Sequence, residues 1–299
     1  MSEHYPRIRI YAENGTLLIR DSLSVTFYMS RPHEEVSSSV MRSLDTYLRA
    51  VGPDALCLYA DQEGYWQTLD DAGWALIRNE LLDPVGARAH LADASARQNR
   101  YQFDYRGRPP SDVVFPDAPG VVSVVSFWLP TEFLEEHGPG RVRELALELA
   151  TPLPFCSGHA GLSFNCDTRL LGVKQEVLKH GFRYPGMDIP GLDMAELRIG
   201  TKVRGSSWLT FLGQPALGEL GGTSELRSRL SSPGTTVQEM EGERAVITLG
   251  RWPEAGDTEK GNTLPSYREL ARVLGPWLYR NTDPRTSEEA RRWERRFLD

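Results

Sequence analysis

The chain has 299 residues, 40% hydrophobic and 9% aromatic, the make-up of a globular protein that buries about three quarters of its unfolded surface. A net charge of −7 argues against a general nucleic-acid binder, which needs concentrated Lys and Arg, and leaves room for a basic partner, although charge alone favours the plainer reading that modest acidity aids solubility. Three sparse cysteines (Cys57, Cys156, Cys166), no apolar leader and no apolar run near about 18 residues predict a cytoplasmic protein off the membrane, and no zinc-like Cys/His spacing marks a metal or cofactor site.

Taken in order, Arg7–Ala12 alternates, Asn14-Gly15 reads as a hairpin turn, and Leu17–Arg20 returns antiparallel. Leu23, Val25, Phe27 and Met29 define a half-buried strand that Pro32 ends. Val36, Val40, Leu44, Leu48 and Val51 recur at helical spacing up to Gly52-Pro53, and Leu56–Ala60 reads as a strand. A helix with Trp74, Ile77 and Leu81 on one stripe follows Asp70-Asp71, with Asp71 placed to cap it. Asp61, Glu63, Trp66 and Asp70 form a first acidic, aromatic patch that could contact a partner.

Residues 84–120 are irregular and rich in Pro and Gly, apart from a strand at Arg100–Tyr105, so an internal boundary is placed near 106–120 within one large unit spanning 1–299. Val121–Leu129 is apolar and β-branched, a strand buried on both faces. A helix opens at Pro130-Thr131-Glu132, breaks at Gly138-Pro139-Gly140 and resumes with Val142, Leu145 and Leu149. The stretch P-F-C-S-G-H-A-G-L-S-F-N at 154–165 then places Cys156, Ser157 and His159 together. As a catalytic group they would need a nucleophile bonded to its base and a third group to orient that base, so the reading preferred is a tight turn between buried strands. A small-substrate hydrolase using Cys156 or Ser157 with His159 is the enzymatic alternative.

Phe182–Gly191 reads as a rigid loop with Asp188 as its lone carboxylate. Trp208–Leu212 is a strand, Ser224–Leu230 a short helix, and Thr235–Met240 with Arg244–Gly250 a hairpin. Glu239, Glu241, Glu243, Trp252, Asp257 and Glu259 form a second acidic stretch around it. The G-D-T-E-K-G string at 256–261 lacks the spacing of a phosphate loop. Pro265–Tyr279 is amphipathic, with a bend at Gly275-Pro276, and Ser287–Leu298 is a final helix. Its Arg291, Arg292, Arg295 and Arg296 interleave with glutamates, which favours a docked helix over a nucleic-acid patch.

F-Y-M-S-R-P-H-E-E from 27 and F-W-L-P-T-E-F-L-E-E from 127 echo one another, each running from an aromatic strand through Pro into an acidic helix start. The fold expected is therefore α+β: a mixed, largely antiparallel sheet built from repeated strand–helix–strand units, with helices packed on one face.

The strings R-I-R-I-Y-A-E-N-G-T-L-L-I-R-D near the start, S-F-W-L-P-T-E-F-L-E-E-H-G-P-G at 126–140 and L-P-F-C-S-G-H-A-G-L-S-F-N at 153–165 resemble the type VI secretion immunity protein family (TsiV-like). So do R-Y-P-G-M-D-I-P at 183–190, W-L-T-F-L-G-Q-P at 208–215, L-P-S-Y-R-E-L-A-R-V-L-G-P-W-L-Y at 264–279 and the closing R-R-W-E-R-R-F-L-D. The resemblance implies a cytoplasmic, non-enzymatic protein that binds a cognate effector toxin, in some members a VRR-Nuc nuclease, and blocks its active site. It carries over no catalytic residue. An adaptor or scaffold of the secretion apparatus is the other non-enzymatic reading.

Overall fold

The computed structural model describes residues 4–84, 87–93, 99–108, 120–190, 198–284 and 286–299. Strand β2 (Leu17–Met29) is the axis of its sheet, flanked by β7 (Ser123–Pro130) and β8 (Ser157–Cys166), both antiparallel to it. Beyond β7 come β6 (Gln102–Arg106), β5 (Arg88–Ala92), β3 (Leu58–Ala60) and the edge strand β4 (Trp66–Thr68). Beyond β8 come β9 (Leu209–Leu212), β11 (Arg244–Leu249) and the other edge, β10 (Thr235–Met240), while β1 (Arg9–Tyr11) pairs with the start of β2. The eleven strands and eight helices among the described residues make the α+β fold that the alternating strand and helix patterns predict.

The register separates an apolar face from a polar one, because successive side chains of a strand point to opposite sides. Leu23, Val25 and Phe27 pair with Leu162, Ala160 and Gly158. Helices α1 (His33–Val51), α2 (Asp71–Leu82) and α3 (Thr131–Ala150) cover this side. The Tyr47 hydroxyl of α1 donates to the Trp128 carbonyl at 2.5 Å, and Ser43 donates to the Leu149 carbonyl at 2.9 Å. Gly158 lacks a side chain for a packing reason: a Cβ there would stand 2.5 Å from the Phe27 ring, which meets Phe155 and Phe211.

The opposite face carries Ser22, Ser24 and Thr26 beside Ser163, Gly161 and His159. Around its β8 half lie α4 (Val173–Arg183), α5 (Ala216–Glu219), α6 (Gly222–Arg229), α7 (Pro265–Leu274) and α8 (Glu288–Glu294). The one-sided layer expected from the pattern thus describes α1 to α3, and the C-terminal segment adds cover on the second side: Thr223 and Arg227 of α6 both reach Glu239.

Both echoing segments form a strand that passes through an uncapped Pro into a helix, at Pro32 and Pro130, and the two strands pair side by side with Val25 opposite Phe127. The break expected at 138–140 is a backbone turn at Gly138 (φ 77°), with Pro139 restarting the helix. Three local expectations are corrected. The two strands expected at 17–20 and 23–29 are one, because Arg20-Asp21-Ser22 is a buried polar run and no turn. The cap of α2 is Asp70, which accepts from the Gly73 amide at 2.9 Å and leaves Asp71 as the first helical residue. The tight turn expected around Cys156, Ser157 and His159 is not one: Ser157 and His159 lie in β8, which starts right after Cys156. The boundary expected near 106–120 falls largely outside the described residues.

Candidate functional site

The alternation of β8 decides what Cys156, Ser157 and His159 can do together. Cys156 sits at a bend just before β8 and His159 lies within the strand, and the groove beside Cys156 shares no lining residue with the cavity beside His159. The Cys156 thiol donates to the Ser30 hydroxyl at 3.2 Å, beside an open groove of about 490 Å³. That groove is lined by Arg31, Phe155, Gln214 and Arg244 among others, and among the described residues by no His or carboxylate that could act as a base. Ser157 shares the His159 face, but its hydroxyl donates to the Lys202 carbonyl at 2.8 Å. The nucleophile-to-base bond that the hydrolase reading needs is made by neither residue.

His159 is held by a partner that sequence reading set aside as a turn residue. The loop after α4 runs alongside β8, with Asp188 bridged to Ser163, and this aims the Asp188 carboxylate at the polar face. His159 Nε2 and Arg204 Nε each lie 3.4 Å from Asp188 Oδ2. Burial alone would push the Asp188 carboxyl up, but Arg204 and His159 beside it outweigh that and hold it well below the usual carboxylate range. The group lines a small cavity of about 10 Å³, room for one water at most, together with Trp293 of α8. The buried ion pair joins β8 to the Asp188 loop and to Arg204, with Trp293 of α8 packed beside the same cavity.

The thiols can be ranked by the same geometry. Cys57 is half-exposed, Cys156 is buried, and burial pushes the Cys166 thiol up to about 12. Limiting maleimide treatment of the folded protein is expected to label Cys57 first, as read by peptide mass spectrometry. Faster labelling of Cys156 would restore the hydrolase reading.

The acidic candidates separate into three places. Asp61, in the turn between β3 and β4, accepts from the Tyr65 amide at 2.8 Å and from Gln67 Nε2 at 2.7 Å, and that second bond holds its carboxyl below the ordinary value. Glu63 beside it is exposed, Asp70 caps α2, and Trp66 is 48% exposed with its ring 4.8 Å from that of His90. Glu239, Glu241 and Glu243 lie on the β10–β11 hairpin, where Glu239 accepts from Thr223 and pairs with Arg227. These two groups stand at opposite ends of the sheet path, and its nine strand spacings of about 4.8 Å put them roughly 40 Å apart.

The third place is spent inside the molecule. The Asp257 carboxylate accepts both donors of Arg183 at 3.2 Å, and Arg183 also reaches Glu259 at 2.7 Å. Trp252 stacks on His4 with ring centres 4.9 Å apart. The C-terminal arginines are likewise engaged: Arg291 donates to the Asp283 carbonyl, Arg296 to the Pro185 carbonyl, Arg295 pairs with Glu288, and Arg292 lies over Phe182. Of the three groups, the β3–β4 end keeps the most exposed aromatic surface.

Among the described residues no group of three or more His, Cys, Asp or Glu is arranged to hold a metal ion, and no helix is long and apolar enough to cross a membrane. Residues 39–297 match the family described as type VI immunity for VRR-NUC. The fold is similar to that of the Pseudomonas aeruginosa T6SS protein PA0821, with a TM-score of 0.80 and 20% sequence identity over 97% of this chain and 87% of that one. No curated protein matches the chain.

Proposed function

Because this chain belongs to the family of type VI immunity proteins for VRR-NUC, we propose that it is a cytoplasmic, stoichiometric inhibitor that binds a cognate nuclease effector and covers its active site. The family match over residues 39–297 is the observation that carries the reading. Physical chemistry supports it from the other side. A nuclease must hold a phosphate backbone, so the mouth of its active site is cationic, and an acidic surface of standard interface size competes for it directly. The half-exposed Asp61 and the exposed Glu63 and Trp66 offer that charge together with an aromatic anchor.

The test is co-expression in a bacterial host with the VRR-NUC effector of the same genome. Growth is expected to be restored, with a one-to-one complex on gel filtration and loss of DNA cleavage in proportion to added protein. Continued killing together with two separate elution peaks would sink the proposal.

A further inference from the structure

The two edges of the sheet are finished differently. At β10 the outward carbonyl of Val237 accepts from Arg227 Nε of α6 at 3.1 Å, and the Thr235 amide is bonded to the Ser232 carbonyl. Those two bonds, with α6 alongside, occupy part of the outward backbone of that edge.

At β4 the ladder with β3 fixes which groups point outward. The Leu69 amide bonds to the Cys57 carbonyl and the Asp61 amide to the Tyr65 carbonyl, so Tyr59 and Gln67 between them form the next hydrogen-bonded pair. By the same alternation, the N–H and C=O groups of Trp66 and Thr68 point away from β3. The Thr68 carbonyl faces the first turn of α2 at Gly73. The Trp66 amide and carbonyl and the Thr68 amide stay open among the described residues. All of β4 is exposed, and from 59 to 68 there is no Lys or Pro to guard the edge.

The side chains around this edge say what it would accept. Of seven large hydrophobic side chains exposed among the described residues, four lie here: Tyr65 (70%), Trp66, Leu76 and Leu82. Between 54 and 83 there are seven carboxylates (Asp54, Asp61, Glu63, Asp70, Asp71, Glu80, Asp83) and a single cation, Arg78. Edge-to-edge pairing with a second copy would bring two such ends together, which their charge opposes. A basic segment meets no such penalty.

We infer that β4 is the docking edge for the effector, and that an extended, Lys/Arg-bearing segment of the nuclease adds to the sheet there as a twelfth strand, bonded to Trp66 and Thr68 and flanked by Tyr65 and the acids of the β3–β4 turn. This rests on the immunity reading and specifies how that complex is made. Main-chain bonds supply affinity in such an arrangement, while the flanking charge sets the partner and the association rate.

Binding of catalytically inactivated effector to the full chain tests it. Thr68→Pro removes an outward amide that β3 does not use and fills the edge with a ring, and it is expected to weaken binding about 100-fold, whereas Thr68→Ala binds as the native chain does. In the native complex, hydrogen exchange at the Trp66 and Thr68 amides is expected to slow, a measurement that needs no variant and holds even where Thr68→Pro fails to fold. Unchanged exchange at both amides in a complex that forms normally overturns the edge docking and leaves the immunity reading standing. Absence of any complex with the native chain removes both. A dimer of the chain alone that Thr68→Pro dissociates would assign the edge to a second copy and overturn the inference.

Discussion

Replacing Asp188 with alanine is expected to lower the stability of the fold by about 3–5 kcal/mol, the usual cost of removing one partner from a buried ion pair. The Arg204 and His159 side chains are both buried beside it, and the neighbouring cavity of about 10 Å³ holds one water at most, so little solvent is at hand to take over the lost interaction. Equilibrium unfolding in urea measures the loss, and far-UV circular dichroism shows whether α8 detaches. Asp188→Asn keeps the shape and loses the charge, so it is expected to cost less.

The same residue sets an acid limit. Its folded pKa lies below the unfolded one, so the unfolded chain takes up the proton first as pH falls. The stabilisation is complete above the unfolded carboxylate value near about pH 4 and is lost progressively below it. The native protein should therefore lose stability on acidification more steeply than Asp188→Asn. Parallel curves for the two proteins between about pH 5 and pH 2 would show that the charge contributes nothing.

Asp21→Ala is the second large effect expected, about 3 kcal/mol. Asp21 is fully buried in the middle of β2, where its carboxylate accepts from the Ile8 amide at 2.7 Å, from the Thr131 hydroxyl at 2.6 Å and from Arg9. Arg9 and Arg20 also bind Glu132, at 2.8 and 2.7 Å, which joins β1, β2 and the first turn of α3 in one network. Alanine at 21 leaves an amide and a hydroxyl without their acceptor at the point where all three elements meet. The Ile8 amide should then exchange with solvent far faster than in the native chain, and the urea midpoint should fall. A stability within about 0.5 kcal/mol of native, the range of neutral surface changes, would contradict this account.

The residues that misled sequence reading have a common property. Asp21 and Asp188 each look like turn chemistry, because a carboxylate flanked by polar or Gly and Pro residues is a routine loop feature. Their roles come from arginines far from Asp21 or on a separate segment, Arg9 across a hairpin and Arg204 beyond a further stretch of chain. Helix α4 escaped notice beside the Pro- and Gly-rich loop that follows it, although Val173, Val177, Leu178 and Gly181 lie buried at helical spacing. The edge strand β4 is three residues long, fully exposed and without an apolar alternation, so it has no signature of its own. The acidic residues were visible, but their spacing along the chain hid the fact that two groups stand at opposite ends of one sheet while a third is neutralised by Arg183.

By itself the sequence determined the elements whose signals are local: the hairpin at Asn14-Gly15, helices α1 and α3 opening after Pro32 and Pro130, the break at Gly138 and the β10–β11 hairpin, and its resemblance gave the family. Each of these follows from hydrophobic period or from the dihedral limits of Gly and Pro, which act within a few residues. Only the tertiary structure decided that Cys156 and His159 line separate cavities, that Asp188 and Asp21 are buried counter-ions, and how the two sheet edges are finished. These depend on strand order and register, and the pairing that sets them joins residues up to more than a hundred positions apart, at distances where neighbouring residues along the chain carry no information.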